Sequence, residues 1–79
     1  MIPAEVTRLY ESVMEDIEGE PFVRGTIDGR TIYGYRLAMP MCLGHIPIVV
    51  GEGKSFRIAG WDEMIALEKV IGEGGLRPV

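Results

Sequence analysis

Asp28-Gly29 lies between two runs of strand-forming residues, Phe22–Ile27 and Arg30–Met39, and no other feature restricts the fold as tightly. A two-residue type I′ turn needs positive φ at both central positions, which Asp and Gly tolerate better than other residues. The turn pairs Ile27 with Arg30. Since side chains alternate across a strand, that pairing decides which residues share a face. In unbroken register one face collects Val23, Gly25, Ile27, Ile32, Gly34 and Ala38, with Arg30 and Arg36. The other collects Phe22, Arg24, Thr26, Thr31, Tyr33, Tyr35, Leu37 and Met39. The first is small and aliphatic, so it is the face expected to receive helices at close range.

A helix is expected before this hairpin. Pro3 suits a first helical turn, where a missing N–H costs nothing. Val6, Leu9, Tyr10, Val13 and Ile17 recur at helical spacing, and Gly19 is placed to end the run. After the hairpin, Met39–Pro47 holds two prolines and Gly44, which break the strand. Ile46–Val50 and Ser55–Ala59 then read as a second hairpin around residues 51–54. Trp61–Ile71 reads as a second helix, with Gly60 before it, Asp62 and Glu63 in its first turn and Gly72 after it. The expected fold class is α+β: helix, four antiparallel strands, helix, with both helices on one face of the sheet. Residues 1–79 form one domain, and 73–79, with two glycines and a proline, are expected to be a loose tail.

Size and composition narrow the class further. A 79-residue chain buries a modest share of its surface, and its one cysteine allows no internal disulfide. The core must hold by packing, for which 47% hydrophobic residues suffice. No apolar run approaches the length of a membrane span, and the N-terminus has no signal-peptide pattern, so a cytoplasmic setting is expected. The chain has no Asn or Gln, and six Arg against two Lys, a usage expected of a GC-rich genome or, as the second reading, of thermal adaptation.

Three motifs touch on chemistry. Gly51-Glu-Gly-Lys-Ser55 resembles the end of a phosphate-binding loop, but that loop needs glycine where Ile48 stands and must open a helix. Here strand follows, so the segment is read as a hairpin turn. Cys42 and His45 are the only thiol and imidazole. A thiolate nucleophile needs a base and a group to orient that base, and no Asn or Gln can orient His45, so packing is the expected role of Cys42. One Cys and one His also leave a tetrahedral metal site short of ligands. Catalysis, cofactors and metal are therefore not expected; an enzyme or regulatory subunit using Cys42 and His45 is the third reading.

Charge carries the functional expectation. The first twenty residues hold six acids, Glu5, Glu11, Glu15, Asp16, Glu18 and Glu20, against Arg8 alone. The other fifty-nine hold six acids and seven bases, within an overall net charge of −4. On the expected first helix Glu11, Glu15 and Glu18 form one acidic stripe, whose like charges cost local stability. The stripe reads either as a solvated face or as a binding surface for a positively charged partner. Arg24, Tyr33 and Tyr35 form a second candidate surface, since Arg and Tyr are enriched in protein–protein hot spots. Strand tyrosines equally serve to cover a core. Overall acidity argues against direct binding to nucleic acid.

In size, acidity and arginine-biased composition the whole chain resembles the small anti-CRISPR inhibitors of phages and mobile elements that act on type I systems. The resemblance rests on no motif, and no site residue carries over by position. It implies stoichiometric binding to the surveillance complex Cascade, so that target DNA is excluded; separately, the chain is expected to be a monomer. An ordinary protein–protein interaction domain, or a subunit of a larger assembly, is the alternative reading.

Overall fold

A computed structural model describes residues 2–39 and 46–79. In chain order its elements are α1 (Ala4–Val13), β1 (Gly19–Ile27), β2 (Arg30–Leu37), β3 (Val49–Glu52), β4 (Ser55–Ile58) and α2 (Trp61–Gly72). The strands form one antiparallel sheet in the order β1-β2-β3-β4. The protein is thus α+β, with helix, four antiparallel strands and helix as expected, and both helices contact the sheet.

The first hairpin turns at Asp28 and Gly29, whose φ angles of 50° and 78° are the positive pair of a type I′ turn. Ile27 pairs with Arg30 as the turn requires. The register then shifts between Val23 and Gly25, leaving Arg24 as the extra residue of a β-bulge. One inserted residue exchanges the faces of everything beyond it. Val23 therefore lies opposite Tyr33, and Phe22 lies opposite Gly34, the reverse of the unbroken register.

The bulge fits the tail of the chain. Gly25 has φ of 153°, and a Cβ there would collide with the Arg77 carbonyl and the Leu76 side chain. Only a glycine leaves this space open. Arg77 exchanges two backbone hydrogen bonds with Thr26, at 2.7 and 2.9 Å, and Leu76 packs into the core. Within the segment expected to be loose, Arg77 is bonded to the outer edge of β1 and Leu76 is packed beside it.

The two helices lie on opposite faces of the sheet, which corrects the expectation of a single helical face. α2 buries Met64 and Leu67 against Ile27, Ile32, Ile48, Val50 and Ala59. α1 buries Val6 and Tyr10, joined by its capping residue Met14, against Tyr33 and Val49, with Tyr35, Leu37, Phe56 and Ile58 around them. Alternation explains the division: Ile32 pairs with Val50 on one face, and Tyr33 with Val49 on the other. Both faces of the central strands are apolar, so each needs its own cover.

α1 ends at Val13, earlier than the apolar spacing through Ile17 predicts. Met14 closes it with a hydrogen bond to the Tyr10 carbonyl, and the Ile17 amide turns back onto Met14. The Glu18 carbonyl already accepts from the Ala38 amide, so the chain has joined the sheet by residue 18. The helix's last turn holds no base. An acidic C-terminal turn opposes the helix dipole, which favours an early exit.

Candidate interaction surface

Tyr10 fixes the α1 side of the molecule. It is fully buried, and its hydroxyl donates to the Pro47 carbonyl at 2.7 Å and lies 3.2 Å from the Tyr33 carbonyl. Its ring stacks on Tyr35 with centroids 4.9 Å apart, and the Tyr35 hydroxyl donates to the Ile17 carbonyl. Burial pushes the Tyr10 phenol up to about 12, opposed by the Val49 amide and the Arg24 charge. Burial also raises the Tyr33 phenol. A phenol held protonated is a structural donor here, and these bonds anchor the corner where α1 leaves for β1.

The acidic residues emerge from that corner. Glu11, Glu15, Asp16 and Glu18 are all exposed. Because α1 stops at Val13, they do not form one helical stripe: Glu11 lies on the last turn of the helix, while Glu15, Asp16 and Glu18 lie in the connection to β1. They form an acidic corner held in place by Met14, Ile17 and Tyr35.

The second sequence candidate is not one surface. Tyr33 is buried beneath α1, tilted against Phe56 at 6.3 Å, and Tyr35 is half-buried in its stack with Tyr10. Arg24 stands at the bulge and reaches across the opposite face to Glu68 of α2, at 3.4 Å. The cause is α1, which covers the aromatic face. Arg24, Tyr33 and Tyr35 therefore cannot meet a partner together.

The arginines of the sheet are engaged as well. Arg30 and Arg57 share Glu63 of α2, Arg57 also meets Glu52, and Arg36 meets Glu20 at 3.6 Å. Arg36 lies over the Phe22 ring, 4.9 Å from its centroid. The Arg-bearing face is thus neutralised by acids from α2 and the strands. Among the described residues, the glutamates in ion pairs are Glu20, Glu52, Glu63 and Glu68. None of the acids at 11–18 is among them. Pattern reading found three of the corner's acids but not Asp16, which falls off helical spacing and joins them only because the helix ends early.

A cleft of about 620 Å³ opens beside the corner, lined by Glu18, Glu20, Tyr35 and Arg36 among others. The exposed Glu20–Arg36 pair on its wall is of a kind that contributes little and rearranges easily.

Gly51–Ser55 is the hairpin turn expected from the sequence, with Glu52 paired to Ser55 and strand continuing into β4. Cys42 and His45 lie outside the described residues. Among the described residues, no group of three or more His, Cys, Asp or Glu side chains is placed to hold a metal. Among the described residues, no helix is long and apolar enough to cross a membrane. Comparison of the chain with known protein families, curated proteins and solved structures finds no match.

Proposed function

We propose that this chain is a non-enzymatic binding protein that docks its acidic α1–β1 corner on a basic surface of a protein partner. The observation that carries this reading is the division of the acids. Among the described residues, Glu20, Glu52, Glu63 and Glu68 are used in internal ion pairs, whereas Glu11, Glu15, Asp16 and Glu18, exposed and close in sequence, are in none. Uncompensated like charge at a helix C-terminus costs stability. A basic partner offsets that cost, steers encounter and sets orientation. The neighbouring cleft gives a partner's Lys or Arg side chain room to approach Glu18 and Glu20.

A surface built to hold nucleic acid is the kind of basic partner that such a corner fits. With the resemblance to anti-CRISPR inhibitors, the reading becomes a stoichiometric inhibitor of a type I surveillance complex that keeps target DNA from its site. The test is a gel-shift titration with purified Cascade and labelled target DNA. The shifted band should disappear as the protein reaches one copy per binding site. Undiminished DNA binding at a large molar excess would rule out this partner.

A further inference from the structure

A second cleft, of about 400 Å³, lies between α1 and the β3–β4 turn. Glu5, Arg8, Leu9 and Ser12 line it from α1, and Lys54 and Phe56 from the second hairpin. The four α1 residues fall at i, i+3, i+4 and i+7, so they share one side of the helix. Leu9 and Phe56 are half-buried and belong to the core beneath α1, which gives the cleft an apolar floor. Ser12 donates its hydroxyl proton to the Leu9 carbonyl at 2.7 Å, so its oxygen is left as an acceptor.

The cations set this cleft apart. Arg24, Arg30, Arg36 and Arg57 each hold a glutamate. Arg8 and Lys54 are in no ion pair among the described residues, yet they come from distant parts of the chain to the walls of one cleft. Lys54 is held there by a tight turn in which Gly53 has φ of 62°. Two cations and the single carboxylate of Glu5 leave the lining with one surplus positive charge. Such a lining attracts an anion, and its apolar floor favours a hydrophobic body.

We propose that this cleft binds a small amphipathic carboxylate, its anionic group between Arg8 and Lys54 and its apolar body on Leu9 and Phe56. This site shares no lining residue with the acidic corner and does not rest on the reading given above. No bond is made or broken; the site is for binding.

The test is a titration of the full-length, isotope-labelled protein with 3-phenylpropionate at fixed ionic strength, followed through backbone amide shifts. Shifts should concentrate at residues 5–12 and 53–56 and saturate with a Kd on the order of millimolar, as suits a ligand of this size. Arg8→Gln and Lys54→Gln should each weaken binding about tenfold, in line with loss of one charge-assisted contact, without changing the melting temperature. Acetate, lacking the apolar body, and 3-phenylpropanol, lacking the charge, should each bind far more weakly. Equal binding by the alcohol, unchanged affinity in both Gln variants, or shifts spread evenly over Lys69 and Arg77 would each overturn the assignment.

Discussion

Replacing Tyr10 with Phe removes one oxygen from the centre of the α1 side and leaves the ring in place. The stack on Tyr35 survives, since a Phe ring fills the same space 4.9 Å from its neighbour. What is lost is the donor to the Pro47 carbonyl at 2.7 Å, shared with the Tyr33 carbonyl at 3.2 Å. Leaving a buried acceptor without its partner costs about 1–3 kcal/mol. For a domain of this size that lowers the melting temperature by about 5–20 °C, read by circular dichroism at neutral pH. Alkali supplies a second readout. Burial holds the folded Tyr10 phenol near 12, above its ordinary value of 10.0. Folding therefore favours the protonated form: the contribution is complete below about pH 10 and fades as pH rises through about 12. The parent should lose stability across that window, and its advantage over Tyr10→Phe should shrink there. The variant keeps some alkaline sensitivity, because burial raises the Tyr33 phenol too. A variant that melts with the parent, or an advantage that stays constant to pH 12, would show that the hydroxyl does not anchor the corner.

Other perturbations probe separate parts of the fold. Leu67→Ala should cost about 2–5 kcal/mol in urea denaturation, because Leu67 is 3% exposed at the centre of the α2 side. Gly25→Ala should destabilise the fold and speed hydrogen exchange at the Arg77 amide, because the new Cβ meets the docked tail. Glu63→Gln removes a carboxylate shared by Arg30 and Arg57; the loss in melting temperature should be small and should shrink further in high salt, as exposed pairs are screened.

Local signals were the legible ones. Asp28-Gly29 specified its turn and the pairing of Ile27 with Arg30, and Gly60, Asp62 and Gly72 bracketed α2 almost to the residue. The bulge at Arg24 was not legible, because what it accommodates lies more than fifty positions away, where Leu76 and Arg77 dock against Gly25. That one residue exchanged Phe22 and Val23 between faces. The placement of the helices did have a signal. Ile48-Val49-Val50 is a continuous apolar run rather than an alternating one, and such a run marks a strand covered on both sides. β1 and β2 by themselves do not carry it. The acidic corner was half legible: charge clustering pointed to it, while its shape depended on where α1 stops. Ion pairing between Arg24 and Glu68, or between Arg30 and Glu63, links residues more than thirty positions apart, so the sheet arginines looked free in the sequence.

The central claim is that the corner at residues 11–18 is the binding surface. Its most direct test is the association rate of the parent and of the triple variant Glu11→Lys, Glu15→Lys and Glu18→Lys with immobilised Cascade, measured across a salt series. All three positions are exposed, so the fold should survive, and lysine at Glu11 suits a helix C-terminus better than glutamate. The parent should associate quickly at low salt and slow steeply as charges are screened beyond a Debye length of about 8 Å at physiological ionic strength. The folded triple variant should show no binding at any salt concentration. Binding of the triple variant at the parent's rate and with the parent's salt dependence would contradict the account.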